Sequence, residues 1–287
     1  MFTLIASVEI LALLLQSSAS GTLVVLVPSA SGLVIAADSR LSAAGTYCDN
    51  GYKIIEPRKP KSTVLAITGN SSFVEANNVP FNDLCQFLRT APRLLDIGSL
   101  VKAYLERKGS PISKLQLADL SEQCAAALRQ FQTEHPSSLW PFDGREVFFV
   151  IIASYNASTK TATVVNFVVR IEAGTHKIQA DRLTQSTISP KSKRDVLAFG
   201  ETDYLNKHVY GGVGRQYLTA ETISFILTDK PIIETPSDQA IAVAANVIEA
   251  VGRTTALIPA PRGIGGPTDI VILGRKKRPQ RVRWKDR

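Results

Sequence analysis

Two apolar, β-branched-rich runs, Leu23-Val24-Val25-Leu26-Val27 and Gly32-Leu33-Val34-Ile35-Ala36-Ala37-Asp38, are separated by only Pro28-Ser29-Ala30-Ser31. Each run has the length and composition of a strand, and the residues between them are turn formers. The spacing predicts a β-hairpin, which folds the chain back on itself. Its two open ends then lie together, so Thr22, which opens the first strand, neighbours Asp38, which closes the second.

The remaining pattern is read around this hairpin. Strands are predicted at Tyr52-Lys53-Ile54-Ile55-Glu56 and at Thr63–Gly69, separated by the charged turn Pro57-Arg58-Lys59-Pro60, whose prolines exclude a central strand. The period then changes. Ile97, Leu100, Val101, Tyr104 and Leu105 recur at helical spacing, as do Leu117, Leu120, Cys124, Leu128 and Phe131. An earlier helix is expected across much of 71–90, broken or started by Pro80. Strands return at 146–153, 162–171, 176–187 and 196–200, followed by the Gly-rich turn Tyr210-Gly211-Gly212-Val213-Gly214. A helix capped by Ser237 carries the apolar stripe Ile241, Ala244, Ala245 and Ile248. The last predicted strand is Asp269–Leu273, after the loop Arg262–Pro267. This grouping of strands, helices, strands, helix and strand does not alternate regularly. It disfavours a doubly wound parallel sheet and suits two packed sheets with helices outside.

Composition removes several functional classes. At 287 residues, 45% hydrophobic and 20% charged, the chain can bury a large core. The net charge of +8 resides in the end of the chain: residues 275–287 hold eight Lys or Arg against one Asp, which leaves 25 minus 24, or +1, for the rest. The basic run therefore reads as a solvated tail, and no aromatic-interleaved basic face suggests a nucleic-acid partner. Cys48, Cys85 and Cys124 are far apart and odd in number, so buried thiols are expected and no disulfide framework. His135, His176 and His208 are not paired at metal-ligand spacing. Gly263-Ile264-Gly265-Gly266 precedes a strand and does not join strand to helix, which argues against a dinucleotide loop. Residues 1–21 are apolar and end in Gln16-Ser17-Ser18-Ala19-Ser20-Gly21, the layout of a signal peptide and too short for a membrane span. Glu9 and the lack of any preceding Lys or Arg suit a removable propeptide instead. Export to the periplasm or outside is favoured over a cytoplasmic location.

Gly21-Thr22, the apolar strand, the short turn and Gly32-Leu33-Val34-Ile35-Ala36-Ala37-Asp38-Ser39-Arg40 together resemble the start of the mature catalytic β-subunits of proteasomes, which are N-terminal-nucleophile (Ntn) hydrolases of the threonine peptidase type. In that family a Gly-Thr bond is cut, and an aspartate lies sixteen positions after the threonine, the separation between Thr22 and Asp38. The Ala-rich helix and Gly-Ile-Gly-Gly-Pro-Thr-Asp-Ile-Val-Ile-Leu near the other end also look like the family's closing part. The resemblance implies a four-layer αββα sandwich spanning 22–274, between a removable leader at 1–21 and a basic tail at 275–287. It also implies ring-forming subunits, hence a homo-oligomer, and a peptide or protein substrate with no cofactor.

The same resemblance distributes roles over the residues. Thr22 read alone only opens a strand; read with a free α-amine, whose ordinary pKa is about 7.7 to 8, it has a base for its own hydroxyl. Lys53 read alone is a surface lysine; beside that amine, its ammonium lowers the amine's pKa, with Asp38 holding the lysine charged and aimed. Gly69, which also ends a strand, offers the oxyanion a backbone N–H, a contribution of about 3 kcal/mol. Asp229 falls near the family's second aspartate and is equally readable as a turn residue. Ile232 and Asp143-Gly144-Arg145-Glu146 stand where the family has serines. The rival readings are a non-catalytic scaffold of the same fold and an Ntn amidase or acylase acting on small amides.

Overall fold

The computed structural model describes residues 22–43, 46–49, 51, 53–74, 84–109, 112–259, 264–274 and 278–283. Residues 1–21, expected to be a removable leader, and Pro80 lie outside them. The hairpin forms as expected from β1 (Leu23–Ser29) and β2 (Gly32–Asp38), paired antiparallel from Val24 opposite Ala37 to Ser29 opposite Gly32. A two-stranded ribbon follows, β3 (Leu41–Ala43) and β4 (Thr46–Cys48). Next come β5 (Ile54–Ile55), β6 (Thr63–Gly69) and β7 (Ser72–Val74), then helix α1 (Leu84–Thr90), β8 (Arg93–Asp96), and helices α2 (Ile97–Lys108) and α3 (Lys114–Glu134). The long antiparallel strands β9 (Glu146–Asn156), β10 (Thr161–Ile171) and β11 (Ile178–Ile188) precede the short β12 (Leu197–Gly200). After a run of short helical turns come α4 (Ala220–Leu227), α5 (Ser237–Thr255), β13 (Thr268–Gly274) and β14 (Gln280–Arg283).

Two five-stranded sheets carry the fold, in the orders β12-β1-β2-β13-β14 and β11-β10-β9-β6-β5. Their packing follows from the two-residue period of a strand. On β1, Leu23, Val25 and Val27 join a core with Val243, Ala244, Val247 and Ile248 of α5. Val24 and Leu26 point the other way, into a core shared with Val64, Ala66, Ile151 and Ala153 of the second sheet. Leu65, Ile67, Val150, Ile152 and Phe167, on the far face of that second sheet, pack with Val101, Leu105, Leu120, Cys124 and Leu128 of α2 and α3. Leu23 to Val27 are all 0% exposed, each such burial being worth about 1.5–3 kcal/mol. That burial on both faces is why the hairpin is apolar without alternation. Helix ends are set locally: Ser113 and Gln116 form a reciprocal capping box for α3, and α5 begins after Pro236, with Ser237 bonded to Ser31 instead of capping the helix.

Several expectations are corrected here. The regular four-layer αββα sandwich gives way to a mixed α/β arrangement with large antiparallel sheets and an uneven helical cover. Ribbons β3–β4 and β7–β8 stand apart from both sheets. Over the first sheet, α5 is joined by α4 and by the helical stretch 202–210, which ends at Gly211 and Gly212 before a short helical turn at Val213–Tyr217. The helix expected across 71–90 is confined, among the described residues, to Leu84–Thr90, because Ser72–Val74 pairs as β7 with β8. Two of the three cysteines are not thiols: Cys48 and Cys85 form a disulfide, leaving Cys124 as a buried thiol. Within the basic end of the chain, Gln280–Arg283 pairs with β13, unlike the solvated tail its charge suggests. Among the described residues no helix is long and apolar enough to cross a membrane.

Candidate functional site

The open end of the hairpin gathers three donors around one carboxylate. Asp38 is completely buried. It accepts hydrogen bonds from the Leu23 backbone N–H at 2.8 Å, from Lys53 Nζ at 2.8 Å and from the Gly265 backbone N–H at 3.2 Å. Each donor arrives through a feature of the topology. Because Val24 pairs with Ala37, Leu23 is the next residue out, and the Asp38 side chain takes its N–H directly after Thr22. Lys53 enters one residue ahead of the two-residue strand β5. Gly265 is delivered by the pairing of Thr268 on β13 with Asp38 on β2.

This is a buried ion pair, with side-chain exposures of 5% for Lys53 and 0% for Asp38. Burial pushes the Asp38 carboxyl up from its ordinary value, opposed by the charge and hydrogen bond of Lys53 and by the two backbone donors. Burial likewise pulls the Lys53 ammonium down, opposed chiefly by Asp38. Each partner is therefore the other's main support, and losing one costs about 3–5 kcal/mol in pairs of this kind.

Thr22, 4% exposed, lines a cavity of about 150 Å³ together with Lys53 and Gly69. The rest of that wall is mixed: Ile55, Ile67, Val74 and Leu88 contribute aliphatic surface, and Ser71 and Ser72 polar surface. Arg93 and Asp96 also border it and are paired with each other. Asp96 is fixed further by capping α2, its carboxylate accepting the Ser99 N–H at 3.0 Å. Leu88 sits on α1, which the Cys48–Cys85 disulfide ties to the β3–β4 ribbon. Gly69 has φ +80°, and a Cβ there would stand 2.5 Å from the Val147 carbonyl oxygen, so only glycine fits. Gly69 and Thr22 also border a smaller cavity behind, with Thr68, Glu146 and Glu201.

Four of the five residues expected from the sequence thus meet at one place: Asp38 holds Lys53, and Lys53 shares a cavity wall with Thr22 and Gly69. Asp229 lies elsewhere. Its side chain is 74% exposed, paired with the equally exposed Lys193, and it borders neither cavity. Sequence reasoning did not find Gly265, Leu88 or the Arg93–Asp96 pair. Only the first left a signal, a Gly-Gly step before β13 where a Cβ on Gly265 would stand 2.8 Å from the Arg40 guanidinium.

No family model matches this chain, and no curated protein matches it. Similar solved structures include a Gly-1 mutant of Anbu from Hyphomicrobium sp. strain MC1, at 15% identity over 93% of this chain and 89% of that one, with a TM-score of 0.48. Anbu (ancestral beta-subunit) from Yersinia bercovieri is 14% identical over 92% of this chain and 88% of that one, with a TM-score of 0.46. The helical assembly of the Anbu complex from Pseudomonas aeruginosa is 16% identical over 92% and 88%, with a TM-score of 0.43. The expected membership in the proteasome β-subunit family of threonine peptidases is corrected accordingly. No family model supports it, and the similar structures are Anbu proteins at identities and TM-scores too low to place the chain.

Proposed function

We propose that this chain is a threonine-type peptidase whose nucleophile is Thr22, freed by cleavage of the Gly21–Thr22 bond. The observation that carries the reading is the fully buried Asp38, which grips both Lys53 and the backbone immediately after Thr22. A hydroxyl needs a base, and an N-terminal threonine supplies one in its own amine. Asp38 holds Lys53 as an ammonium, and that charge disfavours a second one on the amine, which keeps more of it as free base near neutral pH. In the reaction the amine takes the proton of Thr22 Oγ as this oxygen bonds to the substrate carbonyl carbon. The Gly69 N–H stabilises the developing oxyanion. The peptide C–N bond then breaks, the leaving amine takes the proton, and water hydrolyses the ester left on Thr22.

Ile55, Ile67, Val74 and Leu88 on this mixed wall suit an apolar side chain next to the scissile bond, with Ser71 and Ser72 beside it, and Arg93 and Asp96 are paired with each other and offer no lone charge. Self-association belongs to the same reading, and light scattering of the purified protein tests it: a monomer at working concentration refutes it. The test is hydrolysis of fluorogenic peptides with an apolar residue before the reporter. Wild-type protein turns them over, Thr22→Ser retains activity, and Thr22→Ala falls to background with an unchanged circular dichroism spectrum. Undiminished hydrolysis by Thr22→Ala refutes the assignment.

A further inference from the structure

Lys53 is placed by a strand that has little hold of its own. β5 is two residues long, stands at the edge of its sheet, and among the described residues pairs through Ile54 with Ala66 and Ile55 with Leu65. Yet Ile54 is 1% exposed, and the neighbouring Lys53 ammonium must stay within 2.8 Å of Asp38. An additional constraint arrives from the other sheet. Arg281, on the edge strand β14, donates from Nη2 to the Ile54 carbonyl oxygen at 2.9 Å. Its Nη1 meets Asp269 at 2.5 Å, and Nη2 lies 3.3 Å from Glu56. Asp269 is itself 7% exposed and sits on β13, opposite Ala37 and one residue from the partner of Asp38. One planar guanidinium therefore joins the edges of both sheets at the residue after Lys53, with two carboxylates fixing its fork.

We propose that Arg281 is a positioning residue for Lys53, and that Gln280–Arg283 is a strap whose docking keeps the Thr22–Lys53–Asp38 group assembled. The proposal rests on the peptidase reading for its catalytic consequence, although the clamp itself is measurable without it. A strand so short, once released from Arg281, is free to shift by a fraction of a hydrogen-bond length, and Lys53 shifts with it. Misplacing a catalytic group by about 1 Å costs on the order of 10²-fold in rate. The basic end of the chain thereby becomes part of the site, which gives the charge of β14 a use other than solubility.

The test compares wild type with Arg281→Met and Arg281→Lys, in full-length protein, by two readouts. The first is amide hydrogen exchange over 53–56, which Arg281→Met is expected to accelerate by about tenfold or more while β9 and β10 keep their protection. The second is the pH profile of kcat/KM for peptide hydrolysis. When Lys53 moves away, the Thr22 amine returns toward its ordinary pKa, so the acid limb shifts to higher pH and kcat falls more than KM changes. Around this corner the other charged groups are Asp38, Arg40 and Asp49 about Lys53, Arg93 and Asp96 across the cavity, and Glu146 and Glu201 behind Thr22. All are left in place by the substitution, as are Asp269 and Glu56. Arg281→Lys, with one donor point where the fork has several, is expected to restore part of both readouts. Should Arg281→Met fail to fold, Asp269→Asn loosens the same guanidinium with little change of shape and carries the same expectations. Unchanged exchange over 53–56 overturns the clamp. Accelerated exchange with an unmoved acid limb overturns its role in positioning Lys53. A wild-type protein that hydrolyses no peptide refutes the peptidase reading instead, and the exchange data still decide whether Arg281 holds the segment.

Discussion

Replacing Asp38 by Asn and Lys53 by Met, singly and together, tests whether the buried pair is mutually dependent. Asp38→Asn keeps the shape and one acceptor oxygen for the Leu23 N–H, and removes the charge facing Lys53 Nζ at 2.8 Å. With Lys53 only 5% exposed, its ammonium is left without its principal counter-charge, a loss of about 3–5 kcal/mol. Lys53→Met falls toward the lower end of the same range, about 3 kcal/mol, because Asp38 retains the Leu23 and Gly265 donors. In the double variant no charge is stranded, and the pair becomes two neutral groups of similar size. Its cost is expected to fall short of the sum of the single costs by about 2–3 kcal/mol, as contacting residues do in double-mutant cycles. Urea unfolding at neutral pH reads all three differences, provided that fluorescence and circular dichroism give coincident transitions. In thermal melts, Asp38→Asn should lower Tm by about 6–20 °C, at roughly 2–4 °C per kcal/mol for chains of this size. Single costs that add to within about 0.5 kcal/mol in the double variant would refute the reasoning, since independent sites behave in that way.

Other consequences are as direct. Gly69→Ala meets both a φ of +80° and the Val147 oxygen 2.5 Å away, whereas Gly174→Ala, at φ +73° with nothing within 4 Å, meets only the first. Each is expected to cost about 1–3 kcal/mol for its backbone conformation, with Gly69→Ala the more costly in urea unfolding and the only one to impair hydrolysis. Cys85→Ser opens a cross-link between residues 37 apart, which the chain-entropy relation values at about 4 kcal/mol. Its Tm should fall and lose any response to dithiothreitol, and KM for peptides should rise because Leu88 rides on the untethered helix. An unaltered Tm would show that the disulfide contributes nothing to the fold.

The hairpin, and the meeting of its two ends that brings the Leu23 N–H to Asp38, were legible because they depend on local facts: two apolar runs, a four-residue turn, and the geometry of chain reversal. The same holds for α2 and α3, whose stripes of Val101, Leu105, Leu120, Cys124 and Leu128 carry a helical period and are buried as that period requires. What escaped were features made by residues distant in sequence. Cys48 and Cys85 approach only because α1 packs near β4, and no spacing rule connects them. Ser72–Val74 is too short to declare a strand until β8 is beside it. Gly265 resembles any loop glycine until the β13–β2 register brings its N–H to Asp38. Asp229 illustrates the opposite failure. Only the resemblance points to it, and the chain carries it to the surface, to Lys193, in keeping with the alternative reading as a turn residue. The basic end misled through composition, since Arg281 is balanced by Asp269 and Glu56 on other elements.

Everything catalytic in this account requires the amine and hydroxyl of Thr22 to belong to one free residue. Intact-mass spectrometry of the protein from its native source, combined with sequencing from the amino terminus, reads that requirement directly. The account predicts a mature chain beginning at Thr22. A hydrolytically active protein that still carries residues before Thr22 would contradict it.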